Sequence, residues 1–362
     1  MTQDFSPLID DLRVHSLRPL LPPAILIEEL PLAEKAARLI AQSRKDIEAM
    51  LKGQDDRLLV ITGPCSIHDT EAASEYAHLL RDQIERFHQE LCIVMRVYFE
   101  KPRTTVGWKG LINDPCLDNS FKINTGLRIA RRLLCDLAEQ GIPAATEFLD
   151  TIIPQFIADL ITWGAIGART TESQVHRELA SGLSMPVGFK NGTTGNSQVM
   201  IDAIGAARHP HSFLSVTKQG IAAIVTTNGN DSCHAILRGG TRTGPNYDQT
   251  SVSNISSALQ AAGLPHRVVV DCSHGNSKKI PTKQIAVAQD ICKQVTNGSQ
   301  AIFGVMLESH LAEGHQSLND DQDLVYGKSI TDPCISWKQT LPILEQLALA
   351  VMKRRLSASG YQ

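Results

Sequence analysis

Short apolar runs rich in Val and Ile alternate along this chain with longer segments of helical periodicity, and that order leaves few folds open. Strand followed by helix, repeated, builds parallel strands joined by helical crossovers. Runs over 58–62, 92–99, 144–148, 165–168, 187–190, 213–216, 222–226, 234–238, 267–272 and 301–307 read as strands. Ten runs compete for the eight places of a (β/α)8 TIM barrel. The turn-rich stretch Asn228, Gly229, Asn230 and Asp231 suggests that 222–226 and one neighbouring run form an added β-hairpin outside the barrel. A helix is expected over 32–51, stopped by Gly53, and another over 337–354 with Lys353, Arg354 and Arg355 at its C-terminus. Residues 1–50 then make an N-terminal extension, an arm and a helix, ahead of a barrel spanning 51–362.

Polar residues able to do chemistry recur directly after the strand runs. Cys65 and His68 follow the first run, and Arg96, Lys101, Arg103 and Thr104 lie at or just past the second. Glu147, Arg169, Lys190, Arg238, Asp271, His274 and Glu308 close later ones. The C-terminal ends of barrel strands converge on one mouth, so residues far apart in sequence become neighbours there.

Six cations, Arg96, Lys101, Arg103, Arg169, Lys190 and Arg238, thus gather in a protein whose formal charge is −3. Such a cluster repels itself unless it holds an anion, and Arg forks with Lys point charges suit phosphate and carboxylate oxygens. Lys101, Pro102, Arg103 and Thr104 form a second compact phosphate cradle. Cys65, His274, Glu308 and Asp332 supply a mixed S, N and O donor set that suits Mn2+, Fe2+, Co2+ or Zn2+ better than Mg2+ or Ca2+. A Lewis acid beside two anion pockets favours attack of an electron-rich phosphorylated partner on a polarised aldehyde.

Several classes are disfavoured. No GxGxxG follows a strand, and P-loop, GxSxG and HExxH patterns do not occur. Balanced charge gives no long-range attraction to nucleic acid or anionic membrane. No segment approaches the roughly 18 uncharged apolar residues of a membrane span, and the acid-bearing first twenty residues do not read as a secretory signal. The eight cysteines form no CxxC pair, so a cytoplasmic protein is expected.

The residues at 63–69 (GPCSIHD), 95–110 (MRVYFEKPRTTVGWKG), 166–173 (IGARTTES), 186–193 (PVGFKNGT), 237–240 (LRGG), 271–276 (DCSHGN) and 327–332 (GKSITD) resemble class I 3-deoxy-D-arabino-heptulosonate-7-phosphate synthases of the aromatic-amino-acid-regulated type. The resemblance runs from about residue 8 to residue 354. It implies condensation of phosphoenolpyruvate with erythrose 4-phosphate, the first step of the shikimate route. It assigns Cys65, His274, Glu308 and Asp332 to the metal. Arg96, Lys101, Glu147, Gly167, Ala168, Arg169, Lys190 and Arg238 go to phosphoenolpyruvate, and Arg103 and Thr104 to erythrose 4-phosphate. Lys101, Glu147 and His274 are left as the groups that could move the protons of the water added during reaction. The resemblance also implies feedback inhibition by Phe, Tyr or Trp, through Asp10 and Asp11 of the arm and Phe148, Pro154, Gln155, Leu183 and Ser184. An arm that inhibits across subunits implies a homodimer or homotetramer. The nearest rival is a 3-deoxy-octulosonate 8-phosphate synthase acting on arabinose 5-phosphate, against which the KPRTT run and the long arm speak. A catalytically silent barrel that binds phosphorylated metabolites is a second.

Overall fold

The strand runs divide between a closed barrel and a hairpin in a computed structural model that describes residues 9–318 and 323–358. Residues 1–8 of the expected arm, residues 319–322 and the chain end at 359–362 lie outside the described residues. Eight parallel strands close the barrel: β1 (Leu58–Gly63), β2 (Leu91–Arg96), β3 (Ala144–Glu147), β4 (Trp163–Ile166), β5 (Val187–Lys190), β8 (Cys233–Leu237), β9 (Val268–Asp271) and β10 (Ile302–His310). The circle shuts where Leu59 pairs Gly304 and Gly63 pairs Glu308. All eight are buried along their length, as strands covered by helices on one side and a filled interior on the other must be.

The hairpin is present, but its turn is not the expected one. β6 (Ser212–Val216) and β7 (Ala222–Thr226) pair antiparallel, and the chain reverses over 217–221, where Thr217 N donates to Ile221 O at 2.9 Å and Gly220 takes φ 76°. Asn228 to Asp231 instead lead the chain back into the barrel at β8. The Asn230 side-chain amide donates to the carbonyls of Ala180, Leu183 and Met185, so this turn chemistry serves to dock one loop on another.

Ahead of the barrel lie α1 (Pro23–Glu29) and α2 (Glu34–Lys52), and Gly53 in the left-handed region ends α2 as its position suggests. The α2 face carrying Ile47, Met50 and Leu51 packs with Leu59, Ile61, Trp163 and Phe303, which closes the barrel interior at its N-terminal end. Each such buried side chain contributes about 1.5–3 kcal/mol. A larger apolar layer lies between the strands and the outer helices. These include α3 (Thr70–Arg86), α4 (Ile123–Glu139), α6 (Gln174–Gly182) after the four-residue α5 (Pro154–Ile157), α7 (Gln198–Ala207), α8 (Gln249–Ala261) and α9 (Lys283–Thr296). A short β11 (Ile335–Ser336) pairs parallel with the end of β10 and leads into α10 (Trp337–Ala358), which continues past residue 354. Among the described residues no helix is long and apolar enough to cross a membrane. With the bottom sealed, the strand C-termini form the one open end of the barrel interior.

Candidate active site

At that end a cavity of about 300 Å3 is walled by Lys101, Arg103, Thr104, Glu147, Gly167, Ala168, Arg169, Lys190, Arg238, His274 and Asp332, all expected from sequence, together with Lys279, Thr193 and Thr331. They come from the C-terminal ends of β3 and β5 and from the segments after β2, β4, β5, β8, β9 and β10, so the convergence expected of a barrel holds. Arg96 differs. It is fully buried and does not line the cavity; it lies beneath, with its guanidinium 3.5 Å over the Tyr98 ring and donating to Glu308 Oε1 at 3.0 Å. It also donates to the carbonyls of Pro64 and Cys65 at 3.1 and 3.2 Å.

Cys65 Sγ and carboxylate oxygens of Glu308 and Asp332 lie within 4.8 Å of one another, a group able to hold a metal ion. His274 Nε2 stands 3.7 Å from Glu308 Oε1, so the fourth expected ligand is at the edge of the same group. His274 sits at φ 53°, a left-handed backbone that costs on the order of 1–3 kcal/mol, and its Nδ1 meets Asp271 Oδ2 at 2.9 Å. Asp271 also meets Lys190 Nζ at 3.1 Å, so one buried carboxylate aims both a candidate ligand and a cavity cation. Sequence reasoning noted Asp271 at its strand end and gave it no role. An anchor of this kind behind a ligating histidine is common in metal sites.

Charge is concentrated around the group. Burial raises the Cys65 thiol above its ordinary value and the Glu308 carboxylate adds to that, while Lys101 and Arg96 oppose both. Lys101 Nζ donates to Cys65 Sγ at 3.0 Å and to the Cys65 carbonyl at 3.1 Å. Burial disfavours charge on Glu308 too, but His274, Arg96 and Lys101 outweigh it and keep the carboxyl below its ordinary value. Ser273 Oγ adds a hydrogen bond to Glu308 Oε2 at 2.7 Å. Asp332 is likewise held low against burial, by Lys101, His274 and Lys279.

The anion side of the cavity needs small residues at set places. A Cβ on Gly167 would lie 2.2 Å from Glu147 Oε1, so glycine there is what lets Glu147 reach the cavity. Gly239 and Gly275 each leave no room for a Cβ against the other's loop, which lets the segments carrying Arg238 and His274 pack together. Arg169 Nε donates to Thr104 Oγ1 at 3.2 Å, linking the two expected phosphate cradles. Glu100, next to Lys101, accepts from Leu149 N and Asp150 N, and burial followed by Asp150 pushes it up to about 8.

The expected effector residues are split. Pro154, Gln155, Leu183 and Ser184 line a separate pocket of about 440 Å3 with Phe213, Ser215 and Lys218 of the hairpin segment. Phe148 is fully buried behind β4, against Gly164. Asp10 and Asp11 are exposed in the arm and do not line this pocket within one chain.

Residues 33–345 match the model of the DAHP synthetase I family. The chain is 61% identical over 346 residues to the Phe-sensitive phospho-2-dehydro-3-deoxyheptonate aldolase of Escherichia coli K12, covering 96% of this chain and 98% of that protein. It is 54% identical to a tyrosine-inhibited relative of Schizosaccharomyces pombe, over 96% of this chain and 94% of that protein. A solved phospho-2-dehydro-3-deoxyheptonate aldolase from Francisella tularensis SCHU S4 superposes with a TM-score of 0.93 at 53% identity, covering 95% of this chain and all of that one. With its barrel, its cationic mouth and this likeness along nearly its whole length, the chain belongs to the DAHP synthetase I family.

Proposed function

We propose that the cavity at the barrel mouth joins phosphoenolpyruvate to erythrose 4-phosphate, with Cys65, His274, Glu308 and Asp332 as the ligands of a divalent ion drawn from Mn2+, Fe2+, Co2+ and Zn2+. The enzyme is a 3-deoxy-D-arabino-heptulosonate-7-phosphate synthase, feedback-sensitive to aromatic amino acids. One observation carries the residue-level reading: the mixed sulfur and carboxylate group within 4.8 Å reaches, through Asp332, the cavity lined by Arg103, Arg169, Lys190 and Arg238.

The donor set fits a borderline divalent ion, since thiolate disfavours Mg2+ and Ca2+. Such an ion supplies Lewis acidity toward an aldehyde oxygen. The chain's own groups do the rest. Lys101, Arg169, Lys190 and Arg238 hold the phosphate and carboxylate of phosphoenolpyruvate, and Arg96 braces Glu308 below. Arg103 and Thr104 take the phosphate of the aldose. C3 of the enol then attacks the aldehyde carbon, water adds at C2, and the C2–O bond to phosphate breaks to release inorganic phosphate. Glu147, Lys101 and His274 face the cavity where that water's protons must move.

Residues 1–50 act as a regulatory arm and helix and 51–362 as the catalytic barrel. The effector, an aromatic amino acid, binds the pocket of Pro154, Gln155, Leu183 and Ser184, completed by Asp10 and Asp11 of a second subunit in a homodimer or homotetramer. Support comes from the exposure of Asp10 and Asp11 and from relatives whose names record sensitivity to Phe, Tyr or Trp. Offering erythrose 4-phosphate and arabinose 5-phosphate separately, with phosphoenolpyruvate and Mn2+, tests the substrate assignment. Phosphate release with erythrose 4-phosphate is expected, and release with arabinose 5-phosphate alone overturns it.

A further inference from the structure

Two ammonium groups flank the Cys65, Glu308 and Asp332 group, and their circumstances differ. Lys101 is buried and holds both the sulfur and the carbonyl of Cys65. Lys279 Nζ stands 3.2 Å from Asp332 Oδ1, yet its side chain is 62% exposed and forms part of the cavity wall beside Arg103, Arg169 and Arg238. Its backbone is fixed by a turn, and its side chain is held at an exposed ion pair. Lys279 follows Lys278 in the left-handed region, and its N–H donates to the His274 carbonyl at 2.9 Å, so the turn that presents His274 also presents this ammonium.

Asp332 is half-buried, and a partly desolvated carboxylate gains from a neighbouring cation. A flexible, strongly hydrated ammonium on a four-carbon stem supplies one and moves away at little cost. A doubly charged ion competes for the same oxygens. We propose that Lys279 is a positioning residue that holds Asp332 toward the group, competes with the divalent cation for its carboxylate, and on displacement turns its ammonium to the aldose phosphate. This rests on the reading of Cys65, His274, Glu308 and Asp332 as metal ligands, and it makes metal binding a condition for completing the anion pocket.

The test uses chelator-stripped full-length enzyme and Mn2+ alone, with free Mn2+ followed by electron paramagnetic resonance. Lys279→Gln, at an exposed position, is expected to bind Mn2+ about two- to fivefold more tightly than wild type, because an exposed competing ion pair is lost. Lys279→Arg keeps the competing charge and is expected to restore wild-type affinity. In steady-state assays Lys279→Gln is expected to raise KM for erythrose 4-phosphate more than KM for phosphoenolpyruvate. Wild-type or weaker Mn2+ affinity in Lys279→Gln overturns the competition, and an unchanged KM for erythrose 4-phosphate overturns the release. Wild-type protein binding Mn2+ no better than Cys65→Ala overturns the metal-site reading instead.

Discussion

The Lys101 ammonium lies 3.0 Å from the Cys65 sulfur, in a setting where both groups are buried. A thiol must lose its proton to bind a metal, and burial works against that loss. Lys101 is the nearest charge that works for it, while its position on the cavity wall also lets it meet an anion. Lys101→Met keeps most of the volume and removes the charge. It is expected to weaken Mn2+ binding and to lower kcat/KM by about 100-fold or more, as truncating one member of a buried charged contact does. A loss under about threefold in steady-state assays would remove Lys101 from the site.

Gly167→Ala tests whether Glu147 must reach the cavity. The added methyl carbon falls 2.2 Å from Glu147 Oε1, so the carboxylate has to withdraw. A displacement of an ångström at a reacting centre costs on the order of 100-fold in rate. The expected outcome is a fall of about that size in kcat/KM with a native circular dichroism spectrum; near-normal turnover contradicts a role for Glu147.

His234 gives the barrel interior an acid limit. It stacks edge-on against Phe303, its Nε2 accepts from Trp163 Nε1–H at 3.1 Å, and its Nδ1 bonds the Ser232 carbonyl at 3.0 Å. Burial lowers it to about 4, so the folded state binds fewer protons than the unfolded chain between pH 4 and 6.5. Stability is therefore present above pH 6.5 and lost as pH falls toward 4, by up to about 3 kcal/mol. Urea titrations followed by Trp fluorescence at pH 7 and pH 4.5 measure it in wild type and His234→Gln. The variant, already destabilised at pH 7, is expected to lose less on acidification, and an equal loss in both proteins assigns the acid limit to other groups.

Much of this was written in the order of the chain. Parallel barrels put their chemistry after strands, so Cys65, Glu147, Lys190 and Arg238 could be gathered before any coordinates. What failed to show has local reasons. Asn228 to Asp231 carry the stronger turn residues, yet Asn230 spends its amide on three carbonyls of the 180–185 segment, and the plainer 217–221 segment makes the hairpin. Strand position puts Arg96 at the barrel mouth, while its stacking on Tyr98, two residues on, and its bond to Glu308, 212 positions away, do not follow from that position alone. Lys279 was invisible because its place follows from a left-handed turn at His274, which no periodicity announces.

The pocket beside the hairpin offers a test that leaves the barrel mouth alone. Ser184→Trp places an indole in a space of about 440 Å3 lined by Pro154, Gln155 and Leu183. Initial rates of the wild type are expected to fall as Phe, Tyr or Trp is added, and the variant is expected to need at least about tenfold more of the same effector while keeping its basal rate, since a filled pocket costs ligand contacts worth 1.4 kcal/mol or more. Wild-type insensitivity to all three amino acids ends the effector proposal.

The central claim is that one divalent ion, held by Cys65 and its neighbours, is required for this condensation. Phosphoenolpyruvate consumption by chelator-stripped enzyme with erythrose 4-phosphate, before and after addition of Mn2+, measures it in wild type and Cys65→Ala. Wild type should be silent until Mn2+ is added and then turn over, while Cys65→Ala should stay silent with a melting temperature within about 3 °C of wild type. Full turnover by metal-free Cys65→Ala would contradict the account.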